Sequence, residues 1–275
     1  GALNSPKGGA SSMHGNLDEL KIFDEALTAA QVRDVYNSHC TSTAYHHWTF
    51  DGQTGGTAWL KDSGIANAQV GTGGAVRHGN PTINGRSTQS LRLIPTTNRG
   101  ENPQNARLVL DERPLAVSHC GWTAAMWIKR NANYPESVLF SNKSAADWRV
   151  KLEQWQNTRR IGFSKRGVGD FSFNYSAPRS TWVHIALVGT ATNTTLYVNG
   201  ARHSSINQSF DLPQHTIGAD SKGENPVHAE IDELRIYPSS LSNNQIRDLY
   251  NGYSSGTTVR ITETGGSNDT KVSEG

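Results

Sequence analysis

Cysteine, net charge and long apolar runs are all scarce in this sequence. Its only cysteines are Cys40 and Cys120. They allow one disulfide or two free thiols, and do not by themselves fix a redox compartment. The formal net charge is +2, too small an excess to make nucleic acid an expected partner. No apolar run approaches the ~20 residues that a membrane-spanning helix needs, so no membrane insertion is expected. No signal peptide is visible, and the sequence opens on Gly1 rather than Met, so any export signal is expected upstream. No HExxH stretch occurs, and no G-x-S-x-G is read as a nucleophile elbow. Glycine, by contrast, is plentiful at 27 residues beside 35% hydrophobic residues. That balance suits a loop-rich β protein better than a helical one.

One long stretch occurs twice. "LDELKIFDEALTAAQVRDVYN" runs from Leu17 to Asn37, and "IDELRIYPSSLSNNQIRDLYN" from Ile231 to Asn251. The two align without a gap at a constant offset, 232 − 18 = 214 and 250 − 36 = 214. Solenoid repeats have periods of about 20–50 residues, so an offset of 214 is instead the size of one large all-β domain. In each copy a period-2 alternation predicts a strand, Leu20 and Ile22 in one, Leu234 and Ile236 in the other. A short helix follows, opened by an S/T-x-x-Q capping box at Thr28 and Gln31, and at Ser242 and Gln245. Leu27 with Val32, and Leu241 with Ile246, have hydrophobic-staple spacing. Val32, Val35 and Tyr36 share one helical face, as do Ile246, Leu249 and Tyr250.

Between the copies lie strand-length runs: "HHWTFD", "SLRLI", "WTAAMWIK", "SVLFS", "WRVKLEQW", "RIGFS", "DFSFNYS", "TWVHIALVGT" and "TTLYVNGARH". The last contains Asn199-Gly200, a strong two-residue hairpin signal. Short strands separated by Gly, Asn and Ser loops argue for a β-sandwich. The order "HHWTFDG", "KDSG", "WTAAMWIK", "TWVHIALV", "TTLYVNG", "TIGAD", "AEIDELRIY", "LSNNQIRDLYN" resembles the LamG-like (laminin-G type) branch of the concanavalin A-like lectin/glucanase superfamily. The resemblance covers about residues 43–253. It implies an all-β fold, a two-sheet antiparallel jelly-roll β-sandwich with a short C-terminal helix at about 242–251. The first strand is expected to pair near the last. Residues 1–40 then resemble the C-terminal fragment of a preceding LamG-like domain, and residues 41–256 a complete one. Residues 257–275 resemble the start of an Ig-like or Calx-β-like repeat. Such tandem modules are typical of large bacterial surface adhesins. A secreted or cell-surface location, neighbouring modules of the same chain, and a glycan or cell-surface ligand are therefore expected.

The same superfamily includes laminarinase-type glycoside hydrolases with an acidic triad on one strand. "EIDEL" at 230–234 is a near miss, because the third acid would fall on Leu234 or Arg235. The resemblance makes this the closing strand, not the catalytic one, and the first copy has Asn16 in place of Glu230. A non-catalytic binding module is therefore expected, with a structural spacer and a glycoside hydrolase as the alternatives. For sugar contact, Trp155 breaks the alternation of Trp148, Val150 and Leu152 and precedes a polar turn. Trp59 and Tyr134 lie in loops. Arg159 and Arg160 belong with Arg149, Lys151, Lys165 and Arg166 to a basic strip. The strip suits uronic or sulfated sugars, or is simply a solvated sheet face. Trp48, Trp122, Trp127 and Trp182 are expected in the core, His46 and His47 at the surface, and "DSKGE" at 220–224 as a solvated loop. Asp232 has the parity of Leu234 and Ile236, and a carboxylate facing a core must be paired or bind metal. The resemblance implies a structural Ca²⁺ on Asp232 and Asp51, completed by backbone carbonyls. A salt bridge from Asp232 to Arg247, or a capping role for Asp232, is the alternative.

Overall fold

A computed structural model of the chain describes residues 2–4, 10–12, 21–29, 31–32, 35, 40, 44, 46–50, 69–70, 75–79, 82–83, 86–87, 89–95, 107–110, 114–117, 120–144, 147–155 and 158–255. Two units divide at residue 39. In the first, β1 (Ala2–Asn4) pairs antiparallel with β2 (Ala10–Ser12). Further on, Ala29, Gln31, Val32 and Val35 are helical. The expected capping box is formed. The Thr28 N–H and hydroxyl donate to Gln31 Oε1, both at 2.8 Å, and Thr28 Oγ1 accepts from the Gln31 N–H at 3.3 Å. Leu20 and Tyr36, expected on the same face as Ile22 and Val32, lie outside the described residues.

The second unit contains β3 (His46–Trp48), β4 (Gln69–Val70), β5 (Ala75–Gly79), β6 (Thr82–Ile83), β7 (Arg86–Ser87), β8 (Ser90–Ile94), β9 (Leu108–Val109) and β10 (Trp122–Arg130). After them come β11 (Ser137–Ser141), β12 (Arg149–Glu153), β13 (Gly162–Lys165), β14 (Gly169–Ser172) and β15 (Trp182–Gly189). The chain continues through β16 (Thr194–Val198), β17 (Ala201–Ile206), β18 (Thr216–Ile217), β19 (Ala229–Tyr237) and a helix, α1 (Asn243–Ser255). One sheet has eight strands, in the order β17-β16-β15-β10-β19-β8-β5 with β3 also on β19. The other has seven, in the order β14-β13-β12-β11-β18-β9-β4. Every pairing is antiparallel within them, as a jelly roll requires.

Period-2 alternation builds the core between the sheets. Ala124, Met126 and Ile128 of β10 and Ile185 and Leu187 of β15 share it with Val150 and Leu152 of β12 and Phe163 of β13. Each fully buried large apolar side chain contributes about 1.5–3 kcal/mol. At one edge the Arg130 guanidinium of the eight-stranded sheet meets the Glu153 carboxylate of the other at 2.8 Å, both buried. Burial pushes the Glu153 carboxyl up from its ordinary value, against the lowering effect of Arg130.

The outer face of the eight-stranded sheet is covered as well. Leu241, Ile246 and Leu249 pack over Ala125, Ala186 and Val188. Tyr250 stacks on Trp127 with ring centroids 5.5 Å apart. Trp48 and Trp122 lie between the sheets as expected. Trp127 and Trp182 belong instead to the outer cluster with Ile83 and Tyr250. The helix runs four residues past the expected end.

Three expectations are corrected here. His46 is fully buried, because β3 docks on β19, and its ring stacks on Trp48 at 4.8 Å. His47 is half-buried, with Nε2 2.8 Å from Glu233 Oε2. The third concerns β19. Asp232 lies opposite Trp127 and Arg235 opposite Ala125, so β19 takes three steps where β10 takes two. Glu233 adopts φ 50° at this bulge. The extra residue switches faces: Ala229 and Ile231 point into the intersheet core before it, Leu234 and Ile236 after it. Asp232 therefore leaves the face of Leu234 and Ile236. It remains fully buried, and its Oδ1 accepts the Glu233 N–H at 2.7 Å.

Candidate ligand-binding groove

On β12, Val150 and Leu152 enter the core, so Arg149 and Lys151 project from the opposite face. The register carries this row across the sheet, Arg149 beside Ser164 of β13 and Ser164 beside Asp170 of β14. With Trp155, the β13–β14 turn and the loop at 220–225, they line an open groove of about 820 Å³. Trp155 is 40% exposed and Val168, at the tip of the turn, 58%. The residue before Trp155 is anchored. Gln154 is buried, and its Nε2 donates to the carbonyls of Phe163 at 3.1 Å and Phe171 at 3.0 Å. The space it fills exists because residue 162 is glycine; a Cβ there would collide with Phe171 O and the Gln154 side chain.

Charges of both signs line the groove. Lys151 Nζ lies 2.7 Å from Glu136 Oε1 and 3.7 Å from Asp170 Oδ1. Arg149 reaches Asp220 Oδ2 at 3.7 Å. Lys165 sits over the Trp148 ring, 5.7 Å from its centroid. Lys165, Arg166 and Lys222 form no ion pair among the described residues, nor do Asp147 and Glu224. The 220–224 loop, expected to be simply solvated, is organised by a buried acid. Asp220 Oδ1 accepts the N–H groups of Lys222 at 3.0 Å and Glu224 at 2.8 Å. Burial raises the Asp220 carboxyl above its ordinary range, while the Glu224 N–H and Arg149 oppose the shift. The corresponding stretch of the first copy, Pro6 to Ala10, has no acid. The comparison of copies therefore gave no hint of this role.

Of the residues singled out for sugar contact, Trp155 lines the groove. Four members of the basic strip, Arg149, Lys151, Lys165 and Arg166, line it too. Arg159, at φ 55°, and Arg160 are exposed in the β12–β13 connection and do not line it. Tyr134 is half-buried in the β10–β11 loop, away from the groove lining, and its N–H donates to Glu153 Oε2 at 3.1 Å. Burial raises its phenol, and the Glu153 charge adds to the effect. Trp59 and Asp51 lie outside the described residues. Sequence reasoning missed Val168 and the buried acids Glu136 and Asp220. The "KRGVG" turn is a hairpin signal in which Val168 is the one apolar residue, which is the clue that was available.

The acids of "EIDEL" stand on the other sheet. Glu230 pairs with Lys129 at 2.8 Å, and Glu233 with His47 at 2.8 Å and with Arg235. Arg247 bonds Asn244 Oδ1 at 3.0 Å rather than Asp232. "GYSSG" at 252–256 has the G-x-S-x-G spelling, but residues 252–255 form the last turn of α1. A nucleophile elbow needs a strand-to-helix turn. Among the described residues, no group of three or more His, Cys, Asp or Glu side chains is placed to hold a metal.

The sandwich and the groove on its seven-stranded sheet define a lectin-like architecture. The chain belongs to the concanavalin A-like lectin/glucanases superfamily, whose family model matches residues 102–247. Among solved structures it is similar to domain 4 of AbnA, a GH43 extracellular arabinanase from Geobacillus stearothermophilus, determined with arabinotriose. The identity is 20% and the TM-score 0.57, over 75% of this chain and 98% of that one. It is also similar to the binding domain of Paraclostridial Mosquitocidal Protein 1, at 17% identity and TM-score 0.52, over 76% and 52% of the two chains. The botulinum neurotoxin serotype G binding domain matches at 16% identity and TM-score 0.54, over 79% and 53%. These likenesses show the fold, and in the toxins the match spans about half of the compared chain. A comparison with curated proteins finds no match.

Proposed function

We propose that residues 41–256 are a non-catalytic module that binds a glycan or another cell-surface ligand in the groove beside Trp155. The module is one of several in a large secreted or surface adhesin. The observation that carries this reading is an exposed indole at the edge of an open groove lined by charged groups. A pyranose or furanose ring offers an apolar face to stack on such an indole and hydroxyls to bond the polar groups around it. That the AbnA domain was determined with arabinotriose and the toxin domains are binding domains supports the reading.

A glycan array probed with the whole chain tests it, followed by titration of any hit. Trp155→Ala is expected to weaken binding at least ~10-fold, about 1.4 kcal/mol, with an unchanged melting midpoint. Wild-type affinity in that variant would move the site elsewhere. An array blank for neutral and acidic glycans alike favours the spacer, and release of reducing ends from an arrayed glycan favours a hydrolase.

Calcium on Asp232 and Asp51 belongs to the same proposal. Its support is the full burial of the Asp232 carboxylate and the docking of β3, with Trp48 opposite Leu234, three residues before Asp51 in the sequence. If Ca²⁺ binds only the folded state, EDTA lowers the melting midpoint and Asp232→Asn removes the response. Magnesium restores it poorly, because it requires tighter octahedral geometry. A midpoint indifferent to EDTA rejects the metal.

A further inference from the structure

On the outer face of the eight-stranded sheet, positive charge collects at one end. Leu91 and Leu93 of β8 enter the core, so Arg92 projects outward, and it is exposed. Ala229 and Ile231 of β19 enter the core too, so Glu230, and His228 just before the strand, share the outer face. The register sets Arg92 opposite Glu230, and Arg77 of β5 opposite Arg92. A second exposed arginine arrives from the segment before β15. Arg179 bridges to Arg130 at the end of β10, and its Nε donates to Asn131 O at 3.1 Å. The Asn131 N–H in turn donates to His228 O at 2.8 Å. Glu230 is occupied elsewhere. Its Oε1 meets Lys129 Nζ at 2.8 Å and accepts from Asn131 Nδ2 at 3.4 Å, and its Oε2 accepts from the Ser90 hydroxyl at 3.4 Å. Arg92, Arg179 and His228 form no ion pair among the described residues. Burial first, then the Arg92 charge, lowers the pKa of the half-buried His228; Glu230 opposes the shift and Arg179 adds to it. Like charges gathered in this way repel one another until an anion lies among them.

We propose that Arg92, Arg179 and His228 form an oxyanion site on the outer face of the eight-stranded sheet, and that it takes a sulfate or phosphate group. A guanidinium presents a planar fork to two oxygens at once. Two forks and an imidazole N–H suit an ion with several acceptor oxygens and two charges, which a single carboxylate does not offer. The group is either the free ion or the terminal ester of a larger ligand. The site lies on the other sheet from the Trp155 groove and does not rest on the function proposed for that groove. An anion beside the imidazole favours its protonated form. Sulfate keeps its own charge while His228 titrates, so binding takes up a proton and affinity rises as pH falls through the His228 pKa.

The test is a titration of the whole chain with sodium sulfate, followed by NMR at the His228 ring, whose signals are those missing from His228→Gln. Sulfate is expected to shift them saturably and to raise their titration midpoint. Sodium chloride at equal ionic strength is expected to do neither. Both arginines are exposed, so Arg92→Gln and Arg179→Gln are expected to keep the melting midpoint. Each is expected to weaken sulfate binding roughly 10-fold. Each is also expected to raise the His228 titration midpoint of the sulfate-free protein, because a repelling charge is gone. Glucose 6-sulfate separates the two sources of the group. Binding as tight as that of sulfate assigns the site to an ester, and its failure assigns the site to the free ion. His228 signals indifferent to sulfate overturn the proposal. So does an equal response to chloride, or a sulfate affinity that survives the loss of both arginines.

Discussion

The segment at 231–251 is held at its turn by residues far from it in sequence, whereas the hydrogen bonds described for its twin at 17–37 join Thr28 to Gln31 and Val32. The Ser240 N–H donates to Cys120 O at 2.6 Å, and the Thr123 hydroxyl donates to Ser239 O at 2.8 Å. The Leu241 N–H returns to Thr123 Oγ1 at 3.0 Å, and the Tyr197 hydroxyl donates to Asn243 Oδ1 at 2.5 Å. Caps and staple spacing are local and occur in both copies. Thr123, Tyr197 and the apolar sheet face come from elsewhere in the chain. The pair thus separates two contributions that are usually entangled. Capping defines where a helix starts, at about 0.5–2 kcal/mol per cap. Burial decides whether the helix is retained, since helices below ~12–15 residues are marginal alone.

The largest break in this comparison should come from the disulfide. Cys40 and Cys120 are bonded, with Cα atoms 5.2 Å apart and a sequence separation of 80. Cys120 is also the residue whose carbonyl holds Ser240. Closing a loop of this length stabilises by about 4–5 kcal/mol in the chain-entropy model. Reduction, or Cys40→Ser with Cys120→Ser, should lower the sandwich midpoint by roughly 10–20 °C. A change of only a degree or two would show that the corner is held by the hydrogen bonds alone.

Acid should act next, through a residue beneath the second helix only. His184 lies on the outer face of β15, 5.6 Å from the Trp127 ring and 6.0 Å from that of Tyr250. Its Nδ1 is buried without a hydrogen-bond partner. Burial, then the nearby Arg235 charge, lowers its pKa from 6.5 to about 3. As pH falls below 6.5 the unfolded chain takes up a proton that the folded chain refuses until about 3. The stabilisation is therefore complete above pH 6.5 and is lost on the way to 3, by roughly 5 kcal/mol. Glu153 and Asp220, both raised by burial, act in the opposite sense, so the measurement is a difference. His184→Gln should flatten the decline of unfolding free energy across that window. Parallel curves for the two proteins would exclude His184 as the group responsible.

Much of this architecture was legible in the sequence because it rests on alternation and turn chemistry. Strands β10, β15, β16 and β19, and the hairpin at Asn199 and Gly200 with φ 48° and 77°, follow that pattern. Strands β4 to β7 did not stand out, since their residues are polar or glycine-flanked and pair in runs of two to five. The face of Asp232 was misread because a bulge is a property of two paired strands. Nothing in "EIDEL" alone says that β10 will take one step fewer. The groove was half legible. An interrupted alternation marks Trp155. That Lys151 pairs with Glu136, while Arg166 and Lys222 have no acid partner among the described residues, depends on loops that sequence spacing does not bring together.

The smallest effect is the sharpest test of the comparison. Ser242→Ala and Thr28→Ala remove the same hydroxyl from caps of the same geometry. Each should cost its own helix about 1 kcal/mol. In the second copy the helix covers Ala125, Ala186 and Val188, so the loss should reach the global transition. It should lower the midpoint by about 2–4 °C, as expected for a domain of this size. In the first copy Val32 is exposed, so unfolding of that helix is expected to uncover little apolar area at this position. Thr28→Ala should therefore leave the midpoint within error while raising amide exchange at Gln31 and Val32. Equal shifts in the two variants would mean that the first helix is coupled to the sandwich, and the comparison between the copies would then fail.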